Sequence, residues 1–263
     1  MRVHVVSDVH GNVDALARAG DGADALVVLG DLIDFVDYHD HSGGILGAVF
    51  GPEKVATFAR LRRERRHVEI AEFAASLWSS LTDPAGVVEA AVRDQYGKLF
   101  GALTAPTYAT PGNVDTPALW PEYAGETVRI LDGETVELDG LRFGFVGGGL
   151  LPPSANRRRR GGAFRPYLRS EEDFTAALRG LGPVDVVCSH IPPDLPELTF
   201  DVLARRFEHG SAGLLELIRA GAPRWSLFGH VHQPLASRMR VGRTECVNVG
   251  HFQRTERPYV LRW

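Results

Sequence analysis

The sequence has little sulfur: two cysteines and two methionines in 263 residues. Cys188 and Cys246 form no CxxC pair, which excludes a thiolate zinc ribbon or a vicinal redox motif. Both lie in apolar, strand-like runs and are expected to be buried thiols in a reducing compartment. Long apolar runs are also missing, and none approaches the roughly 20 residues of a membrane span. Met1 leads at once into Arg2-Val3-His4-Val5-Val6, without the basic stretch and apolar core of a secretory leader. The expected location is therefore the cytoplasm, with no membrane partner. Neither sign of charge dominates: 29 basic against 33 acidic residues leave a net charge of -4. That balance argues against a general nucleic-acid surface. Repeats, low-complexity segments and linkers are absent as well, so a single domain over residues 1–263 is the simplest organisation.

What is present is the composition of an ordinary globular protein, 44% apolar and 24% charged. Val3–Val6 and Asp24–Leu29 read as buried strands around a short helix, Asn12–Ala19, the pattern of a parallel crossover. Apolar spacing turns helical from about residue 52 to 103, which predicts two or three helices inserted between strands. Short strand-like runs then return, punctuated by Asp132-Gly133 and Asp139-Gly140, both hairpin signals. Gly147-Gly148-Gly149 opens a long loop, followed by alternating helices and strands to the C-terminus. The fold class is α/β.

Five short motifs close strand-like runs: Asp8-Val9-His10, Gly30-Asp31, Gly112-Asn113-Val114-Asp115, Ser189-His190 and Gly229-His230-Val231-His232. In open α/β sheets ligands gather beyond the carboxyl ends of the strands. Segments distant in sequence can therefore deliver Asp8, His10, Asp31, Asn113, His190, His230 and His232 to one place. Imidazole, carboxylate and amide donors without thiolate suit Mn, Fe, Zn, Ni or Co. Seven donors exceed one tetrahedral ion but match two ions sharing a carboxylate. Two ions about 3.5–4 Å apart can clamp a phosphate and generate a bridging hydroxide for in-line attack.

The ordered series DxH, GD, GNxD, H, GHxH resembles the calcineurin-like metallophosphoesterase family from Asp8 to His232. The resemblance implies a four-layer α/β/β/α sandwich of two mixed sheets. It also implies that Asp8, His10, Asp31 and His232 hold one metal, while Asp31 bridges to a second held by Asn113, His190 and His230. Two divalent transition-metal ions, Mn foremost, are the expected cofactors. Many relatives carry histidine where this chain has Val114, and that histidine helps protonate the leaving group. Valine cannot donate a proton, so that step requires a substitute donor or a leaving group that needs none. His39 and His41, on the loop after Asp31, and Asp115 are candidates beside the catalytic Asp31, Asn113 and His190. A good leaving group would need little acid help.

Substrate contacts are expected from Arg157 and Arg158, in the run Arg157-Arg158-Arg159-Arg160, and from His251 after Asn248-Val249-Gly250. Guanidinium groups match phosphate bidentately. The helical segment offers a cap over the site or a surface for a second copy of the chain. The leading expectation is a phosphohydrolase acting on a small phosphodiester or nucleotide. Two alternatives are a metal- and nucleotide-binding protein with weak turnover, and a nuclease gripping DNA or RNA through the arginine loop.

Overall fold

The computed structural model describes residues 1–152, 163–221 and 223–263. The N-terminal apolar runs form β1 (Arg2–Val6) and β2 (Ala25–Val28), paired in parallel with Val3 opposite Ala25 and Val6 opposite Val28. Between them lies α1 (Val13–Arg18), whose N-cap Asn12 accepts a hydrogen bond from the Ala15 amide. This is the expected crossover. Four helices follow: α2 (Gly44–Phe50), α3 (Pro52–Arg63), α4 (His67–Ser79) and α5 (Pro84–Gly101). Three fall in the helical stretch read from the sequence. The first, α2, was hidden because Gly43, Gly44 and Gly47 read as a turn.

The chain continues through β3 (Thr107–Ala109), β4 (Val128–Ile130), β5 (Glu134–Leu138) and β6 (Leu141–Val146). Asp139 and Gly140, both in left-handed backbone, close the β5–β6 hairpin as expected. Asp132-Gly133 does not close a hairpin. It carries the chain from one sheet to the other, because β4 and β5 belong to different sheets. Asp132 holds that passage by accepting hydrogen bonds from Gly147 N (2.9 Å), Tyr167 Oη (2.7 Å) and Arg169 Nη2 (2.6 Å). Two short parallel strands, β7 (Gly149–Leu150) and β8 (Leu168–Arg169), lie where a continuous loop was expected.

Helix α6 (Glu171–Gly180) starts at the Ser170 cap, with three acidic residues in its positive first turn. Strand β9 (Val186–Ser189), α7 (Pro196–Thr199) and the small ribbon β10 (Phe200–Asp201) with β11 (Arg206–Phe207) come next. Helix α8 (Ala212–Gly221), β12 (Trp225–Phe228), β13 (Arg238–Val241), β14 (Thr244–Asn248), α9 (Phe252–Thr255) and β15 (Tyr259–Arg262) complete the chain.

Two larger sheets are rich in parallel pairs. One has the order β15-β1-β2-β3-β4 and the other β13-β14-β12-β9-β6-β5. A buried apolar cluster draws on both: Val3, Val5 and Val27 meet Phe143, Phe145, Val186 and Leu227. A second cluster joins Leu26 and Val28 to Leu16, Tyr96 and Phe100 of the helices. A third joins Val187 and Phe228 to Phe174, Leu178, Leu214 and Ile218. Parallel strands end on the same side, so the residues after β1, β2 and β3 leave one edge of the first sheet together. Those after β9, β12 and β14 do the same in the second.

Phe143 has no exposed surface and sits in the cluster shared by the sheets. Phe143→Ala should cost about 3–5 kcal/mol from lost transfer energy and the cavity left behind. Urea unfolding followed by circular dichroism reads this as a lower midpoint at unchanged slope.

Candidate metal centre

The ligand loops are locked together by backbone hydrogen bonds before any side chain is considered. Asp8 N donates to Gly30 O (3.1 Å), His10 N to Asp31 O (3.0 Å) and Gly11 N to Leu32 O (2.8 Å). Close approach needs missing side chains. A Cβ on Gly30 would stand 2.0 Å from Gly112 N, and one on Gly112 would stand 2.1 Å from Asp31 Oδ1. On the other sheet, a Cβ on Gly229 would strike Ser7 Oγ at 2.0 Å and Asp8 Oδ2 at 2.3 Å. Asp8, His10, Asp31 and His230 all adopt left-handed backbone, with φ of 57°, 41°, 52° and 66°. Non-glycine residues rarely sit there, and such strain collects at functional sites.

These constraints aim the side chains at one another. Asp31 Oδ2 lies 3.4 Å from His190 Nε2 and 4.0 Å from His10 Nε2. His190 Nε2 is also 3.0 Å from Asn113 Oδ1. Asp8 Oδ1 lies 3.3 Å from His232 Nε2 and 3.9 Å from His10 Nε2. His190 Nδ1 donates to Leu29 O (2.8 Å) and His10 Nδ1 to Ile33 O (3.2 Å), which turns both Nε2 atoms inward. Asp31, His190 and His230 form one group whose ligand atoms lie within 4.8 Å of one another; Asp8, His10 and Asp31 form another. Asp31 belongs to both.

Electrostatics suit a cation. Asp8 and Asp31 are buried, and among the described residues their ion-pair partners are histidines. Burial pushes both carboxyls up, but the histidines outweigh it, His232 for Asp8 and His190 for Asp31, and hold them below their usual range. Burial lowers His190, yet Asp31 outweighs that and carries it to about 9. Burial and His190 together hold His230 down to about 4. Two features remain unsatisfied by protein alone. Asp8 Oδ1 is buried without a hydrogen bond, and the Nε2 atoms of His10 and His232 face each other at 3.2 Å. A positive ion held between these atoms resolves both, so the residues present fit the group that the donor chemistry implies.

The other expected site residues are placed differently. Asp115 is buried with its oxygens turned to Leu32 N (3.1 Å), Gly112 N (2.8 Å) and Tyr96 Oη (3.3 Å). It ties the two ligand loops to α5, and burial and Asp31 raise it to about 6. His39 is exposed, and its Nε2 stands 2.8 Å from Arg254 Nη1, which donates to it. His41 lies half-buried on the same loop. Val114 packs against the core, while its amide donates to Asp31 Oδ1 at 2.9 Å. His251 is buried and stacks on His232. Arg157 and Arg158 lie outside the described residues.

Sequence reasoning missed three supports. Asn248 Nδ2 donates to Gly229 O (3.2 Å) and Val231 O (2.9 Å), bracing the loop that carries His230 and His232. Gln95 grips both backbone groups of Asp34, at 2.8 Å and 3.0 Å. Gln253 Nε2 donates to His10 O at 3.0 Å. Only the Asn-Val-Gly turn signal pointed toward any of them. A cleft of about 490 Å³ opens beside His10, lined by Asn12, Asp34, Gln95, Lys98 and Gln253.

A solved structure similar to this chain has a TM-score of 0.57 at 16% identity, covering 96% of this chain and 91% of its own. Another, TT1561 of Thermus thermophilus, has a TM-score of 0.54 at 14% identity, covering 99% and 98%. At such identities the likeness is one of fold. No curated protein matches the chain in a sequence search. The family model described as calcineurin-like phosphoesterase matches residues 1–234.

The cleft generates a pH dependence at Asp34. Burial, with Asp37 and Asp40 nearby, raises this carboxyl from 3.8 to about 7. The folded chain then holds a proton that the unfolded chain releases, so stability falls as pH rises through that window. Asp34→Asn cannot ionise and should escape the loss. Urea titrations at pH 5 and pH 8 should show the variant gaining on the native chain at the higher pH. An equal gap at both values removes Asp34 as the cause.

Proposed function

This chain belongs to the calcineurin-like phosphoesterase family, and we propose that it is a dinuclear metal-dependent phosphohydrolase acting on a small phosphodiester or nucleotide. The observation that carries this reading is Asp31, shared by two separate groups of ligand atoms. Asp8, His10, Asp31 and His232 would hold one ion, and Asp31, Asn113, His190 and His230 the other. When bound, two such ions activate water for in-line attack at phosphorus and neutralise charge on the phosphoryl oxygens. Manganese is our first choice of metal, with Fe, Zn, Ni or Co able to occupy the same donors.

The protein's own residues supply position. The Val114 amide fixes one oxygen of Asp31 while the other faces His190. The His230 amide does the same for Asp8, donating to Oδ2 at 2.9 Å. With Asp115 occupied by backbone donors, and His39 by Arg254, we read the leaving group as departing with little acid help, His41 being the remaining donor on the loop. The polar cleft beside His10 fits a small substrate rather than a duplex. The three core clusters support a four-layer α/β/β/α sandwich within one domain, the segment 52–103 being its helical insertion. No described helix is long and apolar enough to cross a membrane, and two free, buried cysteines fit a reducing cytoplasm.

Asp31→Ala should lower turnover of a diester such as bis-nitrophenyl phosphate by about a thousandfold, since several kcal/mol of charge stabilisation is lost. Chelation of the native protein should match that loss, and added Mn should restore only the native chain. Full activity in the metal-checked variant would refute the mechanism.

Val114 produces a second expectation. Native turnover should fall steeply as the leaving group becomes less acidic, because no side chain at position 114 protonates it. Val114→His should flatten that dependence across a series of substituted phenyl diesters. Identical slopes would place the proton donor elsewhere.

A further inference from the structure

Strand β14 runs parallel to β12 and ends at Asn248, so the turn after it emerges at the edge that carries the metal ligands. Gly250 makes the turn with φ of 99°, and its amide is held by Asn248 Oδ1 at 2.9 Å. The next residue is His251, whose exposure is only 5%. Its ring stacks on His232 with centroids 3.8 Å apart and planes 19° from parallel. It meets His10 edge-on at 5.7 Å and 86°. The ligand nitrogens of His10, His232 and His251 all lie within 4.8 Å of one another. Gln253 steadies the ring, its Oε1 standing 3.2 Å from His251 Nε2 while its amide holds His10 O.

We propose that His251 is a further ligand of the ion held by Asp8, His10, Asp31 and His232. The proposal rests on the dinuclear reading above and adds a donor from a sixth strand end. A substrate contact would require an open face, which a ring buried between two ligand histidines does not have. Ligation fits the closeness of the three nitrogens. An imidazole lone pair lies in its ring plane and metal–nitrogen bonds are about 2.0–2.1 Å, so His251 ligates by turning out of this stack. The two metal positions then differ in chemistry. One has three imidazoles with Asp8 and Asp31; the other has two imidazoles with Asn113 and Asp31. The nitrogen-rich position favours Zn, Co, Ni or Fe, and the oxygen-richer one accepts Mn more readily.

Cobalt titration of the whole chain tests this without reference to turnover. The native protein should take up two equivalents of Co(II). Its proton spectrum should then show five exchangeable, hyperfine-shifted imidazole N–H signals, from His10, His190, His230, His232 and His251. His251→Phe keeps a stacking ring but no nitrogen, and His251→Gln offers a smaller side chain should the phenyl ring disturb folding. Either should lose one shifted signal and bind one of its two equivalents at least tenfold more weakly. Outer-shell partners of a metal already carry roughly 10–100-fold, and a direct ligand should not carry less. Two equivalents with only four shifted signals in the native protein would overturn the assignment and leave the dinuclear centre standing. Unchanged affinity and spectra in both variants would do the same. A native chain that takes up no cobalt would remove the dinuclear centre and this ligand with it.

Discussion

Two carboxylates buried close together govern this architecture. Asp8 and Asp31 are 1% and 3% exposed, and like charges in a dry interior repel unless cations stand between them. Arginine or lysine would neutralise them permanently and close the site. Histidine instead offers a lone pair that yields to a metal and a proton when none is there. Two of the rings have their second nitrogen anchored, His190 on Leu29 and His10 on Ile33. Those two rings are therefore aimed by groups that take no part in ligation.

The same constraint explains the unusual backbone. Four of the ligands occupy left-handed conformations, and three glycines stand where any side chain would strike a ligand oxygen or another loop. A looser arrangement would relieve the strain but would also let Asp31 turn away from one of its two groups. Asp115 prevents this from below. It receives amides from both ligand loops and the Tyr96 hydroxyl from α5. The helices between β2 and β3 thus bear on the metal site through Tyr96 and Gln95, although neither residue faces it.

The candidate donors that the structure brings together were legible because strand-end motifs depend on short-range order: an apolar run, a glycine, then a donor. Asp8, His10, Asp31, Asn113, His190, His230 and His232 were all readable this way. The strands of the two larger sheets and most helices followed from periodicity for the same reason. Asp132-Gly133 misled because a turn signal does not say which strand the chain will pair with next. Helix α2 was obscured by its glycines. Asp115 read as a proton donor because its sequence position touches the site, while its burial and its three donors come from elements far along the chain. Gln95 and Gln253 were invisible for that reason too. Arg157 and Arg158 lie outside the described residues.

The placement of the ligands on two sheets has a consequence for the lifetime of the protein. Asp8 and Asp31 leave the sheet that pairs β1 to β4 with the last strand β15, while His190, His230 and His232 leave the sheet built from the second half of the chain. Neither sheet owns a complete site. An ion seated between them would act as a removable rivet joining the two sheets. Binding to the folded form alone adds about 2.7 kcal/mol at a hundredfold excess over the dissociation constant. Metal supply would then govern how long each molecule survives proteolysis as well as how fast it works.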